Sequence, residues 1–428
     1  MKLSFPKLFL IATILFNSFA YTSCNKDDSN HKEDEFDVIN EVMQEWYFWN
    51  DELPSIKSSN YNSANNYFED LLASQDRWSY IANRDQLLAY LENGTYTGYG
   101  LGFKFDSNND LRVKLIFDES PIAAEGITRG WKLISINGYT IPENPSSSDE
   151  DKILDELDKS SSEFIFENNL GEQKEFLASQ ITLDQNSVLK REVIDHQGIK
   201  VAYLAFDSFL QKSEEELNEA FTYFKEQSAE ELVLDLRYNG GGSTAISNQL
   251  SSLITGNAFT NDIYSKVFHN ESKMSEDFTE AFQEQAAAYA FDRVFIITTS
   301  GTASASEMVI NGLKPYLDDV ILIGSTTHGK PVGMYVFEDI SLNLAIVPIS
   351  FKITNAADEG DYFEGIPVDL EISDDLSYDF GDIEESNFKA ALDYIVSGNF
   401  PVITAAKALS TNEREFKKKG FDELVGAN

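Results

Sequence analysis

From Val201 onward the sequence repeats one alternation that few architectures accommodate. Short apolar runs, VAYLAF, ELVLDL, RVFIIT and DVILIG, are separated by stretches of helical periodicity such as SEEELNEAFTYFKEQ and STAISNQLSSLI. An apolar run without polar alternation is the mark of a strand buried on both faces. Such strands alternating with helices predict a mainly parallel sheet covered by helices, so the fold class is α/β. Sheets of this kind gather their chemistry in the loops at the carboxyl ends of the strands.

Three of those loops carry unusual residues. After RVFIIT comes TSGTASASEM, which places five hydroxyl residues and three small ones where a single capping residue would suffice. Gly301, Ala303 and Ala305 leave room for a backbone to approach Ser304, and the Ala305 amide, near a helix N-terminus, favours developing negative charge. A serine hydroxyl needs a base to take its proton. The chain has four histidines, His31, His196, His269 and His328, none at a spacing that suggests a metal site. His328 lies after DVILIG in the loop GSTTHGKPVG, and so does Lys330, which can act as a general base where burial holds it neutral. The third loop, DLRYNGGGST, brings Asn239 and Gly240 to Gly242. Its glycines can aim amides into a cavity, either to complete an oxyanion hole or to cradle a phosphate, although the lysine of a P-loop is missing. Taken singly these are a helix cap, a solvated lysine and a turn. Each follows its own strand of one sheet, and that common placement makes a site.

The flanking segments have other textures. Residues 35–95 repeat aromatic and aliphatic residues three and four apart, as in FDVINEVMQEWYFW, and predict a helical packing domain. Residues 96–185 alternate over short lengths between turns, which predicts a compact β-rich module. The region 186–385 holds the α/β core, and 386–428 reads as a helical, peripheral segment. At the other end, residues 1–23 have lysines at 2 and 7 and an apolar segment too short to span a bilayer, the pattern of a secretory signal peptide. Cys24, the single cysteine of the chain, stands where a bacterial lipoprotein signal leaves its lipid-accepting residue, and 24–34 is a polar tether. The expected location is the cell envelope of a Gram-negative bacterium, on an outer-membrane lipid anchor facing the periplasm or the outside. A net charge of −39 repels phosphates and anionic headgroups, so nucleic acid is not an expected partner.

DLRYNGGG, TASASEM and an aliphatic strand ending in IG with T-x-G-K behind it closely resemble the carboxyl-terminal processing, or tail-specific, proteases in order and spacing. The resemblance implies a crotonase-like core in which Ser304 is the nucleophile, Lys330 the general base and Glu307 the group that orients Lys330. The implied oxyanion hole is made by the amides of Gly241 and Ala305. It also implies that residues 96–185 are a PDZ domain, with Gly100, Leu101, Gly102 and Phe103 as the loop that holds a peptide's terminal carboxylate. The implied reaction is endoproteolysis of polypeptides with unstructured carboxyl-terminal tails, without metal or other cofactor. The GIP turn at Gly365 to Pro367 keeps the family pattern. Gly130 is followed by Trp131 where such domains usually have aspartate, which bears on peptide specificity. His328 replaces a common phenylalanine and Pro331 a common glycine, so a Ser304–His328 pair is an alternative arrangement. A reading from another class is a peptide or lipophilic-ligand binder on the same fold. Cys24→Ala is expected to abolish lipidation, and intact-mass measurement of the membrane-extracted protein checks it: an unmodified Cys24 in the parent would remove the anchor.

Overall fold

The computed structural model describes residues 34–402, 414–416 and 425. The expected signal peptide, Cys24 and the expected tether up to residue 33 lie outside these residues.

The core is a six-stranded sheet built, in spatial order, from β1 (Val188–His196), β2 (Ile199–Phe206), β3 (Glu231–Asp235), β4 (Arg293–Thr298), β5 (Asp319–Gly324) and β6 (Leu370–Glu371). β1 and β2 form an antiparallel hairpin, and every later pairing is parallel. Alternate side chains of each strand go to opposite faces. Ala202, Leu204, Leu232, Leu234, Val294 and Ile296 pack against α1 (Ser213–Gln227), α2 (Thr244–Thr255) and α3 (Ala305–Leu313). Val201, Tyr203, Val233, Phe295 and Ile297 pack instead against Phe388, Leu392 and Ile395 of α4 (Ser386–Ser397). This double burial is why the strands read as unbroken apolar runs. It also corrects one expectation. The start of 386–428 is not peripheral, because α4 is the cover of the second face.

The helices of 35–95, Glu35–Trp46, Ala64–Leu71 and Arg84–Asn93, do not enclose a core of their own. Trp46, Tyr47, Phe68 and Trp78 share one with Val332, Phe337, Ile346 and Ile349. Within this region Tyr80–Asn83 is a strand, paired with Leu344–Val347 in the register Tyr80↔Val347. The short run YIAN carries no helical stripe long enough to decide its state, and a distant strand supplies its hydrogen bonds.

The β-rich module is a sheet of Leu101–Phe105, Leu111–Ile116, Lys132–Ile136, Ser161–Glu167 and Gln173–Ser179 with the helix Ser147–Leu157. Its two chain ends, Thr95–Gly98 and Ile181–Asp184, pair with each other as an antiparallel neck. Buried charge joins it to the core. Asp374, after β6, accepts from Lys104 Nζ, Arg129 Nη2 and Arg237 Nη1, all at 2.8 Å, and from the Tyr238 hydroxyl. Arg237 also meets Asp235 Oδ2 at 2.7 Å and Glu385 Oε2 at 3.0 Å, so three cations face three carboxylates. Lys104 and Arg129 belong to the module, and Arg237 begins the glycine loop.

Burial acts to raise the pKa of Asp374, but Lys104, Arg129 and Arg237 outweigh it and hold the carboxyl well below its ordinary range. A depressed carboxylate contributes stability that is complete above its unfolded pKa and is lost as pH falls through its folded value. Asp374→Asn is therefore expected to cost about 3–5 kcal/mol at neutral pH, because it leaves buried cations uncompensated. Urea denaturation as a function of pH checks it: the loss must shrink as acid protonates the parent's Asp374.

Candidate active site

The loop of Ser304, the expected nucleophile, is fastened by its own hydroxyls. Thr302 Oγ1 donates to the Leu236 carbonyl at 2.8 Å and accepts from the Thr299 amide at 3.0 Å. Ser306 Oγ donates to the Asn239 carbonyl at 3.0 Å, and Thr299 Oγ1 donates to the Arg237 carbonyl. The crowd of hydroxyls after β4 thus staples this loop to the glycine loop after β3. Close approach follows. A Cβ on Gly241 would lie 2.7 Å from Ser304 Cβ and 3.0 Å from the Ala305 amide nitrogen, and Gly241 has φ +105°. No larger residue fits there.

Ser304 itself has φ +56° and ψ −115°, a backbone state that L-residues adopt at a cost of about 1–3 kcal/mol. It sits at the N-cap of α3, and its amide donates to Glu307 Oε2 at 2.9 Å. Glu307 is wholly buried. Its carboxylate also accepts from the Lys330 amide at 2.8 Å, the Gly329 amide at 2.6 Å and Thr327 Oγ1 at 2.5 Å. Burial raises its pKa against the pull of these four bonds. The expected role of Glu307 is to orient the Lys330 side chain. The observed bonds are instead to three backbone amides and one hydroxyl, so the carboxylate ties the Ser304 loop to the Lys330 loop.

Ser304 and Lys330 line one cavity of about 220 Å³, whose walls include Phe209, Met308, Met334, Phe351 and Ile353. Lys330 is half-buried, and its Nζ makes a contact of 3.4 Å with Met334 Sδ. Gly240 and Gly242 open on the same cavity. The Gly241 amide is engaged elsewhere in this conformation, donating to Asn239 Oδ1 at 2.9 Å, while Ala305, the other member of the expected pair, lines the cavity.

His328 faces away from this chemistry. Its Nε2 accepts from the Trp78 indole at 3.1 Å. Burial, then the nearby charges of Arg77 and Lys330, push its pKa down to about 4, so the ring is neutral at physiological pH. Arg77 Nη2 donates to the His328 carbonyl at 2.9 Å. Arg77 and Trp78 therefore clamp the base loop from the N-terminal region. The sequence offers no local sign of this role, since QDRWSY fits an amphipathic stretch.

In the module, Leu101 and Phe103 are buried in its apolar centre, and Gly100 turns at φ +75°. The strand Leu101–Phe105 lies between Leu111–Ile116 and the two-residue strand Arg414–Glu415. His328→Phe is expected to retain most of whatever activity Ser304 supports, because Nε2 is turned to Trp78. Steady-state rates of the variant test this, and a loss matching that of Ser304→Ala would return His328 to the reaction.

Known proteins resemble this chain along most of its described length. A model described as peptidase family S41 matches residues 200–370, and one described as the peptidase S41 N-terminal domain matches residues 34–80. The chain is 25% identical over 215 residues to the carboxy-terminal processing protease CtpB of Bacillus subtilis, covering 50% of this chain and 42% of that one. It is 21% identical over 310 residues to a carboxyl-terminal-processing protease of Synechocystis, covering 69% and 68%. A solved Bacteroides fragilis protein assigned to the S41 proteases superposes with a TM-score of 0.68 at 23% identity, over 87% of this chain and 99% of that one, a likeness of fold. The matched regions hold both the clamp at Arg77 and Trp78 and the loops of Ser304 and Lys330, and the chain belongs to peptidase family S41.

Proposed function

We propose that the protein is a serine endopeptidase working through a Ser304–Lys330 pair. The observation that carries this reading is that both residues line one cavity while a single buried carboxylate, Glu307, holds both of their loops. Ser304 Oγ attacks the peptide carbonyl as neutral Lys330 Nζ takes its proton. The tetrahedral intermediate collapses, the C–N bond breaks, and Lys330 returns the proton to the departing amine. Water then attacks the ester as Lys330 takes its proton, the Ser304 Oγ–C bond breaks to release the acid, and Lys330 returns the proton to Ser304 Oγ.

Negative charge on the carbonyl oxygen meets the Ala305 amide at the start of α3. A second donor from Gly241 requires its amide to leave Asn239. The apolar walls at Phe209, Met308, Met334 and Phe351 favour an apolar side chain on the acyl side of the bond.

The β-rich module is assigned the role of a PDZ domain that takes unstructured tails. The strand Leu101–Phe105, whose edge accepts an added strand, and the helix Ser147–Leu157 of the same module support this reading. Gly100 to Phe103 are assigned to the terminal carboxylate, and Cys24 to a lipid anchor in the envelope.

Ser304→Ala is expected to lower kcat/KM by roughly ten-thousandfold or more while leaving the fold intact, and Lys330→Ala to do nearly the same, since a nucleophile and its base act as one unit. Activity is expected to fall with acid, because only neutral Lys330 accepts the proton. Cleavage of an unfolded protein with a free apolar carboxyl terminus, followed by gel and mass spectrometry, measures all three. Cleavage surviving in Ser304→Ala would move the nucleophile elsewhere, and no cleavage by the parent with tail peptide still bound would favour the binding module.

A further inference from the structure

The groove of the β-rich module is already filled, and by this chain. Arg414 and Glu415 pair antiparallel with Leu101–Phe105 in the register Arg414↔Phe105 and Glu415↔Lys104, which adds a strand to the sheet edge. Strand addition of this kind is how an extended peptide docks on such an edge. Side chains fit the groove on both sides. Phe416 is buried in the module's apolar centre, edge-on to Phe103 at 6.4 Å and to Phe105 at 6.0 Å. Arg414 stacks its guanidinium over Phe105 at 3.9 Å and meets Glu150 of the helix Ser147–Leu157 at 2.8 Å.

Glu150 is the telling residue. It is a carboxylate on a groove-lining helix, 2% exposed, and its Oε2 has no hydrogen-bond partner among the described residues. A buried carboxylate that remains half-satisfied is costly unless a cation answers it, and here the cation comes from the docked segment. Glu415 adds a second tie, to Lys114 Nζ at 2.8 Å. The same side chain approaches the nucleophile loop: its Cδ lies 3.3 Å from where a Cβ on Gly301 would stand. Val425 is buried beside Tyr90, Leu115 and Tyr238, between the module and the rest of the chain.

We propose that residues 414–416 are an intramolecular ligand of this groove, that the groove selects a basic residue followed two positions later by an aromatic one, and that a substrate tail must displace this segment to bind. The proposal rests on the module being a peptide-binding one. A tethered occupant competes at an effective concentration that a free peptide must exceed, so the docked form is the latent form. Selection of an internal Arg-x-Phe pattern differs from capture of a terminal carboxylate, because the chain continues past Phe416.

The test uses the full chain with Ser304→Ala, so that binding is read apart from cleavage, and a fluorescent peptide of sequence NEREFKK copied from residues 412–418. Fluorescence anisotropy should show the peptide binding roughly tenfold or more tighter once Arg414→Ala and Phe416→Ala empty the groove, since the tethered competitor is gone. Adding Glu150→Gln to the emptied protein should reverse that gain, and the peptide with its arginine replaced by glutamine should bind equally weakly. Arg414→Glu alone, which sets like charges together without removing the buried ring, should shift affinity in the same direction and guards against misfolding of the double variant. Equal affinity in parent and emptied protein would overturn the proposal, as would binding indifferent to Glu150. No binding to any variant would overturn both the proposal and the peptide-binding reading of the module. With Ser304 restored, the emptied protein should cleave at lower KM and similar kcat; absence of cleavage beside intact peptide binding would count against the peptidase reading alone.

Discussion

Everything at the candidate centre depends on one buried carboxylate. Glu307 accepts hydrogen bonds from three backbone amides and one hydroxyl, and these belong to two loops leaving neighbouring strands. Each loop alone is a turn with several available conformations. Bound to a common acceptor they have one, and Ser304 and Lys330 come to the same cavity as a result. The position of the acceptor helps as well, since the third residue of α3 lies near the positive end of the helix, where a negative charge is favoured. The positive φ of Ser304 is held by the same bond, so local strain is balanced by an interaction that a random loop would lack.

Around this pair of loops the fold supplies braces from far away in the chain. The nucleophile loop is stapled to the glycine loop by Thr299, Thr302 and Ser306. The Lys330 loop is clamped by Arg77 and Trp78, whose region shares its core with the strands that follow that loop, at Val332, Phe337, Ile346 and Ile349. The glycine loop begins at Arg237, inside the network of Asp374. That network includes Lys104, which stands on the strand where residues 414–416 dock, so groove and glycine loop share one set of charges.

Much of this is legible in the sequence, and the physical reason differs from part to part. The runs RVFIIT and DVILIG match β4 and β5 residue for residue because strands covered on both faces leave no polar alternation to blur their ends. Ser304, Ala305 and Lys330 stand out because loop position follows from strand order in a parallel sheet. Glu307 stands out too, yet its partners do not, since backbone amides carry no sequence signature. Arg77 and Trp78 give no sign of their role because their contacts lie some 250 residues away. YIAN reads as part of a helical region because four residues hold too little periodicity to decide their state. The tail strand is hidden for the same reason, as Arg414–Glu415 has only two residues. The cover formed by α4 reads as peripheral because an amphipathic helix does not state which surface it meets.

The neck of the β-rich module has a topological meaning. Thr95–Gly98 and Ile181–Asp184 leave side by side, and just beyond them the Gln185 amide donates to the Gly94 carbonyl at 3.1 Å. The module is therefore an insertion whose two covalent connections lie side by side, so the chain before and after it runs on as though uninterrupted, while the Asp374 network makes its non-covalent junction with the core.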